Sequence, residues 1–389
     1  IMGAPYIPFA PGRLLNSFKG LRWRDYIQMG LRCHSSGTAI LMLNMGGPRT
    51  TGEVHDFLKR LFSDRDIIRL PLQSKLGPYI AQRRTSAIEK KYEEIGGGSP
   101  IGKWTDLQGS LLCKALDEKH PLTAPHKHFA TFRYAHPLTE DVLKDVENSG
   151  FKRAIAFSQY PQYSCSTAGS SFNAIYKYYK SSGNSAMEWS VIDRWHSHPL
   201  LAKVFAKNIM KELVKFPKEV QKDVVLLFSA HSLPLERVDS GDPYPAEVAT
   251  TVHAVMKELG WSHGYRLVWQ SKVGPKRWLA PSTDDAIKEY VKKGKKHLML
   301  VPIAFVNEHI ETLHELDIEY ADELGKEVGA IIKRVPTPND DPMFIDCISD
   351  VVIQHMASQK NISAQFMLQC PKCINPTCKE MRKWFSQYS

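Results

Sequence analysis

The chain has 389 residues, of which 43% are hydrophobic, so it is long enough to bury a large core and to form two domains. Its seven cysteines are thinly spread except near the C-terminus, which is not typical of a disulfide-rich secreted protein and better fits a metal or cluster in a reducing compartment. No apolar run approaches the roughly 20 residues of a membrane-spanning helix, and the modest positive charge comes without any nucleic-acid-binding motif, so we expect no nucleic-acid partner.

The N-terminal segment carries five basic residues against one acid, together with serines and scattered apolar residues. This composition is typical of a mitochondrial transit peptide, whereas a secretory signal would need a continuous apolar segment. A disordered basic tail is the alternative. We predict a presequence-like segment over residues 1–37 and begin the folded chain at residue 38.

An insertion at about 49–127 separates the first two predicted strands, 38–45 and 128–134. It contains the stretch LPLQSKLGPYIAQRR, which has apolar and basic residues but no acid. Such a stretch is compatible with an ordinary packed connector. It also suits the surface of an anionic membrane, or a pocket for a flat apolar ligand that bears carboxylates.

An internal repeat organises the rest of the chain. LTEDVLKDVENSGFKRAIAFSQYPQYSC (138–165) aligns with STDDAIKEYVKKGKKHLMLVPIAFVNEH (282–309) at a constant offset of 144 residues. In each copy Ser or Thr and acidic residues open a helix, a glycine closes it, and an apolar strand follows. Chance similarity between two generic helix–strand units is the alternative. In either case the alternation of strands and helices predicts an α/β fold with parallel sheets.

We divide the chain after the presequence-like segment into three parts. They are an N-terminal α/β domain with the insertion (38–208), a C-terminal α/β domain (209–345), and a C-terminal helix with a Cys-rich extension (346–389). Ligands of open parallel sheets bind beyond the carboxyl ends of the strands. The segments there are rich in aromatic residues and histidine, and His231 follows a buried strand. No glycine-rich phosphate loop follows a strand, so a nucleotide-dependent enzyme is not expected.

Four glutamates follow the last strand of the second repeat at spacings of three, four and four residues, which predicts that they share one face of a helix. They are Glu308, Glu311, Glu315 and Glu319. A solvated acidic face is the common explanation for such a column. This column starts where the binding crevice should be and has His309 and His314 beside it, which also suits a divalent ion or a proton relay.

Three cysteines lie within nine residues near the C-terminus, in the pattern C-x2-C-x4-C. Three thiols leave one ligand of a tetrahedral site to be supplied from elsewhere in the chain. With such a remote thiol, the spacing fits either a zinc site or an iron–sulfur site.

The chain resembles the ferrochelatases of animal mitochondria from about residue 38 to the C-terminus, with the motifs of that family in the same order along the chain. Five longer strings carry the resemblance: FSAHSLP, VPIAFVNEHIETLHELDIEY, QYPQYSCSTAGSS, YEEIGGGSPI and GDPYP. The resemblance implies two Rossmann-like, chelatase-type domains with parallel sheets and a porphyrin cleft between them, followed by a C-terminal cluster-binding extension. It also implies the insertion of ferrous iron into protoporphyrin IX with release of two protons to form protohaem, the last step of haem synthesis.

The resemblance further assigns roles to individual positions. His231 resembles the proton acceptor and Glu311 its partner across the macrocycle, while His198 and Asp350 match two further positions associated with activity. Glu308, Glu315 and Glu319 resemble an acidic path for protons or metal. The positions that resemble porphyrin contacts are Met45, Arg84, Tyr92, Ser99, Arg133, Tyr134, Phe305 and His309. The positions that resemble the ligands of a [2Fe-2S] cluster are Cys165, Cys370, Cys373 and Cys378.

The resemblance implies a homodimer that contacts the matrix side of the mitochondrial inner membrane peripherally. Two alternatives stay open at this point. One is a chelatase for another tetrapyrrole or metal, which would share the fold and a His/Glu pair. The other is a non-enzymatic haem or porphyrin carrier, in which the His309 region would supply an axial ligand.

Overall fold

The computed structural model of the protein describes residues 37–388. The predicted presequence-like segment therefore lies almost entirely outside the described residues. Residues 37–388 form one compact unit.

The unit contains two parallel four-stranded sheets with the strand orders β2-β1-β3-β4 and β6-β5-β7-β8. The strands are β1 Thr38–Asn44, β2 His126–Phe132, β3 Arg153–Ser158, β4 Glu188–Ile192, β5 Val225–His231, β6 Tyr265–Gln270, β7 His297–Pro302 and β8 Ile331–Arg334. The two orders are the same when each sheet is counted from its first strand, so the predicted α/β fold with two similar parallel sheets is confirmed. The sequence pattern missed β4 and β8, and it placed β2 two residues too late.

Helices cover both sheets and fill the connections between strands. They are α1 Val54–Ser63, α2 Gln73–Glu94, α3 Ile101–Lys119, α4 Thr139–Asn148, α5 Ala168–Ser182, α6 Pro199–Leu213, α7 Leu235–Asp239, α8 Tyr244–Glu258, α9 Thr283–Lys292, a π-helix Glu311–Leu324, α10 Gly325–Val328, α11 Pro342–Ala357, α12 Ala364–Met367 and α13 Pro376–Ser386. Short 3₁₀ turns occur at Thr51–Glu53, Pro121–Thr123 and Gln221–Asp223. Among the described residues, no helix is long and apolar enough to span a bilayer.

The repeated unit is visible in the backbone. Helix α4 leads into β3 and helix α9 leads into β7, and the glycine after each helix has nearly the same left-handed conformation, with φ of +79° at Gly150 and +81° at Gly294. In the second copy, Ser282 caps the helix by accepting a hydrogen bond from the N–H of Asp285. The first copy differs, because Leu138 occupies the cap position and the Thr139 hydroxyl donates to a strand carbonyl instead.

Apolar side chains from both sheets belong to one continuous core. Ile40 and Phe157 of the first sheet and Leu226 and Val301 of the second belong to the same buried cluster, which α3, α6 and α11 also join. The boundary that we predict between residues 208 and 209 falls inside α6. The division into an N-terminal and a C-terminal domain stays a prediction.

The C-terminal segment returns to the first sheet. Phe366 of α12 and Phe385 of α13 pack edge to face against Phe172 of α5, with ring centroids 5.5 and 6.1 Å away. This docking fixes α13, which carries Cys378, and the stretch between α12 and α13, which carries Cys370 and Cys373. It therefore brings those cysteines to the loop that follows β3.

Candidate active site and cysteine cavity

His231 is the last residue of β5, and its side chain lies at the carboxyl edge of the second sheet. Its ring nitrogen Nδ1 lies 2.6 Å from the carbonyl oxygen of Ser232. Because a carbonyl oxygen can only accept a hydrogen bond, Nδ1 carries the proton, and in the neutral ring the lone pair is on Nε2. His231 thus offers a basic nitrogen in a fixed tautomer.

Glu311 is the first residue of the π-helix that follows β7. One of its carboxylate oxygens lies 3.9 Å from Nε2 of His231, and the other lies 3.8 Å from Nε2 of His309. Both distances exceed that of a hydrogen bond, so the two imidazoles and the carboxylate are close without being bonded to one another. The structure therefore brings together the two residues predicted to act as base and partner, but the 3.9 Å between them leaves no room for a macrocycle, so the expected placement of Glu311 across the ring from His231 is wrong.

His309 is buried, and its ring packs against Phe305 with the ring centroids 4.8 Å apart. Within residues 37–388, its Nδ1 atom has no hydrogen-bond partner. Burial lowers the pKa of His309, against the opposing charges of Glu311 and Glu308. The ring is therefore neutral near pH 7, with an unused polar atom.

The prediction that four glutamates share one helical face is wrong for Glu308. This residue precedes the helix, and its carboxylate forms an ion pair with Arg334 at 2.7 Å and accepts hydrogen bonds from Thr337 N–H and the Thr312 hydroxyl. Burial alone would raise the pKa of Glu308, but Arg334 and these hydrogen bonds hold it below its usual value. Glu308 is therefore a fixed, paired anion under the His309 loop.

Glu315 lies one turn beyond Glu311 in the π-helix, whose hydrogen bonds run from residue i to residue i+5. Its carboxylate accepts hydrogen bonds from Ser271 N–H at 2.8 Å, Gln270 Nε2 at 3.0 Å and the Tyr320 hydroxyl at 3.0 Å. Burial and the negative charge of Glu311 raise the pKa of Glu315. Glu315 is therefore a carboxyl group that can hold a proton close to the cleft.

Glu319 continues the row toward solvent. It pairs with Lys91 of α2 at 2.5 Å and lies 3.3 Å from His314, whose other ring nitrogen is 2.6 Å from Glu94. Glu94 is half exposed. The outer end of the glutamate row is therefore held against the insertion by charged groups.

Residues of the insertion lie near the same edge, because Tyr92 packs in one apolar cluster with Met45 and Ile310. Tyr92, near the end of α2, is buried, and burial together with the charge of Glu311 raises its pKa, which places Tyr92 beside the catalytic candidates. Met45 follows β1 directly, and Ser99 donates its N–H to the carbonyl of Pro48 in the same loop region. Arg84, eight residues before Tyr92 in α2, is half buried.

Arg133 and Tyr134 follow β2 directly and are both held by Asp64. The carboxylate of Asp64 accepts a hydrogen bond from the Arg133 guanidinium and another from the Tyr134 hydroxyl, each at 2.7 Å. Burial would raise the pKa of Asp64, but the neighbouring Arg133 charge and the hydrogen bonds lower it. This anchor fixes both side chains, and it uses part of the hydrogen-bonding capacity of both residues.

His198 and Asp350 form a pair of their own. The Nε2 atom of His198 lies 3.0 Å from an Asp350 carboxylate oxygen, and its Nδ1 lies 3.2 Å from the Cys347 sulfur. His198 also lines a groove of about 410 Å³ between the β4–α6 loop and α11. Among the described residues, neither His198 nor Asp350 has an ion pair or hydrogen bond with His231, Glu311 or His309.

The predicted cluster ligands converge. One cavity of about 250 Å³ is lined by Cys165, Cys370, Cys373 and Cys378. Burial raises the pKa of these thiols where a shift is resolved, to about 11 for Cys378. In residues 37–388, no group of three or more His, Cys, Asp or Glu side chains is close enough to hold a single metal ion.

Three residues of the site were not singled out from the sequence. Gln270 and Ser271 hold Glu315, and their position at the end of β6 was the available signal. Ser271 has a positive φ of +65°, which is rare for a residue other than glycine. Asp64 gave no signal, because a single aspartate in a loop between helices has no pattern.

Comparison with known proteins identifies the family. A family model described as Ferrochelatase matches residues 37–356. "Ferrochelatase, mitochondrial" of Drosophila melanogaster is 60% identical over 90% of this chain and 92% of that protein. The proteins of the same name from Bos taurus and Homo sapiens are 56% and 55% identical over 90% of this chain and 84% and 83% of their own lengths.

A solved structure, "SirB from Bacillus subtilis with Fe3+", covers 84% of this chain and 100% of its own, with 13% identity and a TM-score of 0.48. That likeness is too weak to bear on function. The family match and the identities to animal proteins do bear on it. The chain belongs to the ferrochelatase family, the metal chelatases that carry out the final step of haem synthesis.

Proposed function

We propose that His231 accepts pyrrole protons from protoporphyrin IX as ferrous iron enters the ring, and that Glu311 assists it. The free porphyrin must lose two pyrrole protons when a divalent metal takes their place, so the site needs a base in a cleft from which water is largely excluded. The observation that carries the proposal is the hydrogen bond to Ser232, since it leaves the Nε2 lone pair of His231 available.

Glu311 stabilises the imidazolium that His231 becomes, because its carboxylate lies 3.9 Å from the atom that takes the proton. The raised pKa of Glu315 supports a role in receiving protons from this pair. Glu319, which is about one third exposed, then leads toward solvent. We propose that this row is the acidic path, with Glu308 serving at its base as the paired anion that fixes the His309 loop.

We propose that the porphyrin lies between the insertion and the His231 edge. Met45, Tyr92 and Phe305 would supply apolar contact, while Arg84 and Ser99 are suited to the propionates. His309 would face the ring with its neutral imidazole. Arg133 and Tyr134 would shape the wall from their anchor on Asp64. We propose that the remaining candidates, His198 and Asp350, also support activity. They lie at the groove between the β4–α6 loop and α11, apart from His231 and Glu311.

We also propose that the four cysteines hold a [2Fe-2S] cluster, which when bound would supply one-electron redox chemistry. One feature of the protein fits this group, since all four thiols line a single cavity.

We propose a peripheral membrane contact through the tip of the insertion. Leu72 and Tyr79 are 72% and 55% exposed, and Arg83 is exposed beside them. Apolar side chains with a basic rim suit an anionic bilayer surface. The relatives' names place them in mitochondria, and we propose the matrix side of the inner membrane for this chain.

A homodimer is proposed on the family resemblance, with exposed Leu368 and Ile374 as apolar surface near the C-terminus.

The first prediction tests the base and its partner. His231→Ala should lower iron insertion by about 10² to 10⁴-fold, because a positioned general base typically contributes that much. Glu311→Gln should also lower turnover more than it weakens porphyrin binding. Turnover with Fe²⁺, Zn²⁺ and Co²⁺, porphyrin affinity and thermal midpoint are measured on the same preparations, with exposed His253→Ala as control. A His231→Ala protein that melts early but inserts metal at a near-normal rate would contradict the role of His231 as the base. A stable shift of the porphyrin absorption bands without turnover in the wild type would favour a porphyrin carrier over an enzyme.

A second prediction concerns pH. Folding lowers the pKa of His309 below its value in the unfolded chain, about 6.5. As the pH falls through that value the unfolded state takes up a proton that the folded state refuses, so stability is lost on acidification. His309→Asn should therefore lose less thermal stability than the wild type between pH 7.5 and 5.5. Parallel melting curves for the two proteins would show that His309 is not held neutral by folding.

A third prediction concerns the cysteine cavity. The purified protein should show the visible absorption of a [2Fe-2S] centre, and Cys165→Ser should abolish it as fully as Cys373→Ser, because both thiols line the same cavity. Buried Cys113→Ser, which lies outside the cavity, is the control. An unchanged spectrum in Cys165→Ser would remove this residue from the ligand set.

A fourth prediction concerns the membrane. The protein should sediment with vesicles that contain anionic lipid, and replacing Leu72 and Leu76 by Asp should release it by adding charge to the apolar tip. Leu122→Asp changes a residue that is 83% exposed in the turn before β2 and serves as control. Equal sedimentation of the Leu72/Leu76 variant and the wild type would show that the insertion tip does not bind the membrane and is an ordinary packed connector.

A further inference from the structure

Arg382 is a buried cation without a charged partner. It lies on α13, is only 5% exposed, and has no carboxylate within ion-pair distance among the described residues. Its Nη2 atom donates a hydrogen bond to the Tyr163 hydroxyl, but its Nε and Nη1 atoms have no hydrogen-bond partner within residues 37–388. Burying an unpaired charge is costly, and arginine is almost never fully buried unless it is paired.

Aromatic rings hold the guanidinium in place. Its central carbon lies 5.3 Å from the ring centroid of Phe366 and 5.9 Å from that of Tyr163. These contacts orient the group, but they do not neutralise it. The guanidinium therefore has no direct ionic partner among the described residues, although two buried carboxylates, Asp66 and Asp242, line the cysteine cavity.

The cysteine cavity would supply a negative charge to Arg382 if its thiols bound a cluster, since Cys378 of that cavity lies on the same helix. Cys378 and Arg382 are four residues apart on α13, so they share one face of the helix. The Arg382 charge lowers the pKa of Cys378 and Cys370, although burial outweighs it and raises both. When the thiols are protonated, Arg382 faces neutral sulfur atoms. When they bind an oxidised two-iron core as thiolates, the centre carries a double negative charge.

We infer that Arg382 is the internal counter-ion of the cysteine centre, a positioning residue whose burial is stabilising only when the thiolate cluster is bound. The inference rests on the proposed cluster. One consequence is that the positive charge of Arg382 favours the bound cluster over the empty cavity. The other is that it favours the reduced cluster over the oxidised cluster, because the reduced cluster carries one more negative charge. Arg237 donates to the Cys165 sulfur at 3.7 Å, but it also donates to backbone carbonyls of the α1–α2 loop and is less buried.

The test compares stability with and without the cluster. Arg382→Met is placed in the wild-type chain and in the cluster-free Cys373→Ser chain, with Arg382→Lys to keep the charge. Lys383→Gln is the control, since it removes one exposed positive charge from the neighbouring position of the same helix. We expect Arg382→Met to lower the thermal midpoint of the cluster-loaded protein and to raise that of the cluster-free protein, because removing an unpaired buried charge is stabilising.

A purely structural role predicts something else. If Arg382 only packs on Tyr163 and Phe366, Arg382→Met lowers the thermal midpoint by the same amount in both chains, and that result would overturn the inference. Iron and acid-labile sulfide are first measured in the wild type. Their absence would refute the cluster itself, whereas their presence together with equal effects in both chains would refute only the role of Arg382.

Reduction of the loaded cluster gives a second readout. At a fixed potential poised with dithionite, Arg382→Gln should lower the ratio of reduced to oxidised cluster on the order of tenfold, because a nearby positive charge is lost in a poorly solvated site. Arg382→Lys should stay close to the wild type, and Lys383→Gln should have little effect because its charge is screened by solvent. An unchanged ratio in Arg382→Gln would contradict the counter-ion role.

Discussion

The hydrogen bond from Nδ1–H of His231 to the carbonyl oxygen of Ser232 is the interaction on which the chemistry of the cleft depends. It fixes the tautomer, and so it decides which ring nitrogen can take up a proton. The acceptor is itself held by the sheet, because Ser232 donates its N–H to the carbonyl of Gln270. A ring with its proton on Nε2 would point a donor at Glu311 and would not accept a pyrrole proton.

The start of the π-helix sets the second half of this arrangement. Glu311 is at the N-terminal end of that helix, where the positive end of the helix dipole favours a negative charge. Glu315, one turn farther along, is partly buried and is repelled by Glu311, so its pKa is raised. Glu315 thereby holds a proton more readily than an ordinary carboxyl group, which suits a site through which protons are transferred.

Much of this fold could be predicted from the sequence because both sheets are parallel and buried. Strand β1 is buried throughout and apolar from Ala39 to Leu43, and the repeat marks the same helix–strand unit twice. Strand β8 is short and partly exposed, so its hydrophobic pattern was too weak to predict a strand there. Helical spacing misplaced Glu308, because a residue that precedes a helix can match its period by coincidence. The contact of Asp64 with Arg133 joins residues far apart in the chain, and no local pattern encodes it.

The tautomer of His231 is the central claim, and nitrogen NMR measures it directly. The protein is labelled with ¹⁵N-histidine, and the ring signals of residue 231 are assigned by their loss in His231→Asn. At pH 7.5 we predict a ring that is protonated at Nδ1 and unprotonated at Nε2, as the bond to the Ser232 carbonyl requires. A ring protonated at Nε2 alone would contradict the account, because the atom that faces Glu311 would then be a donor and not a base.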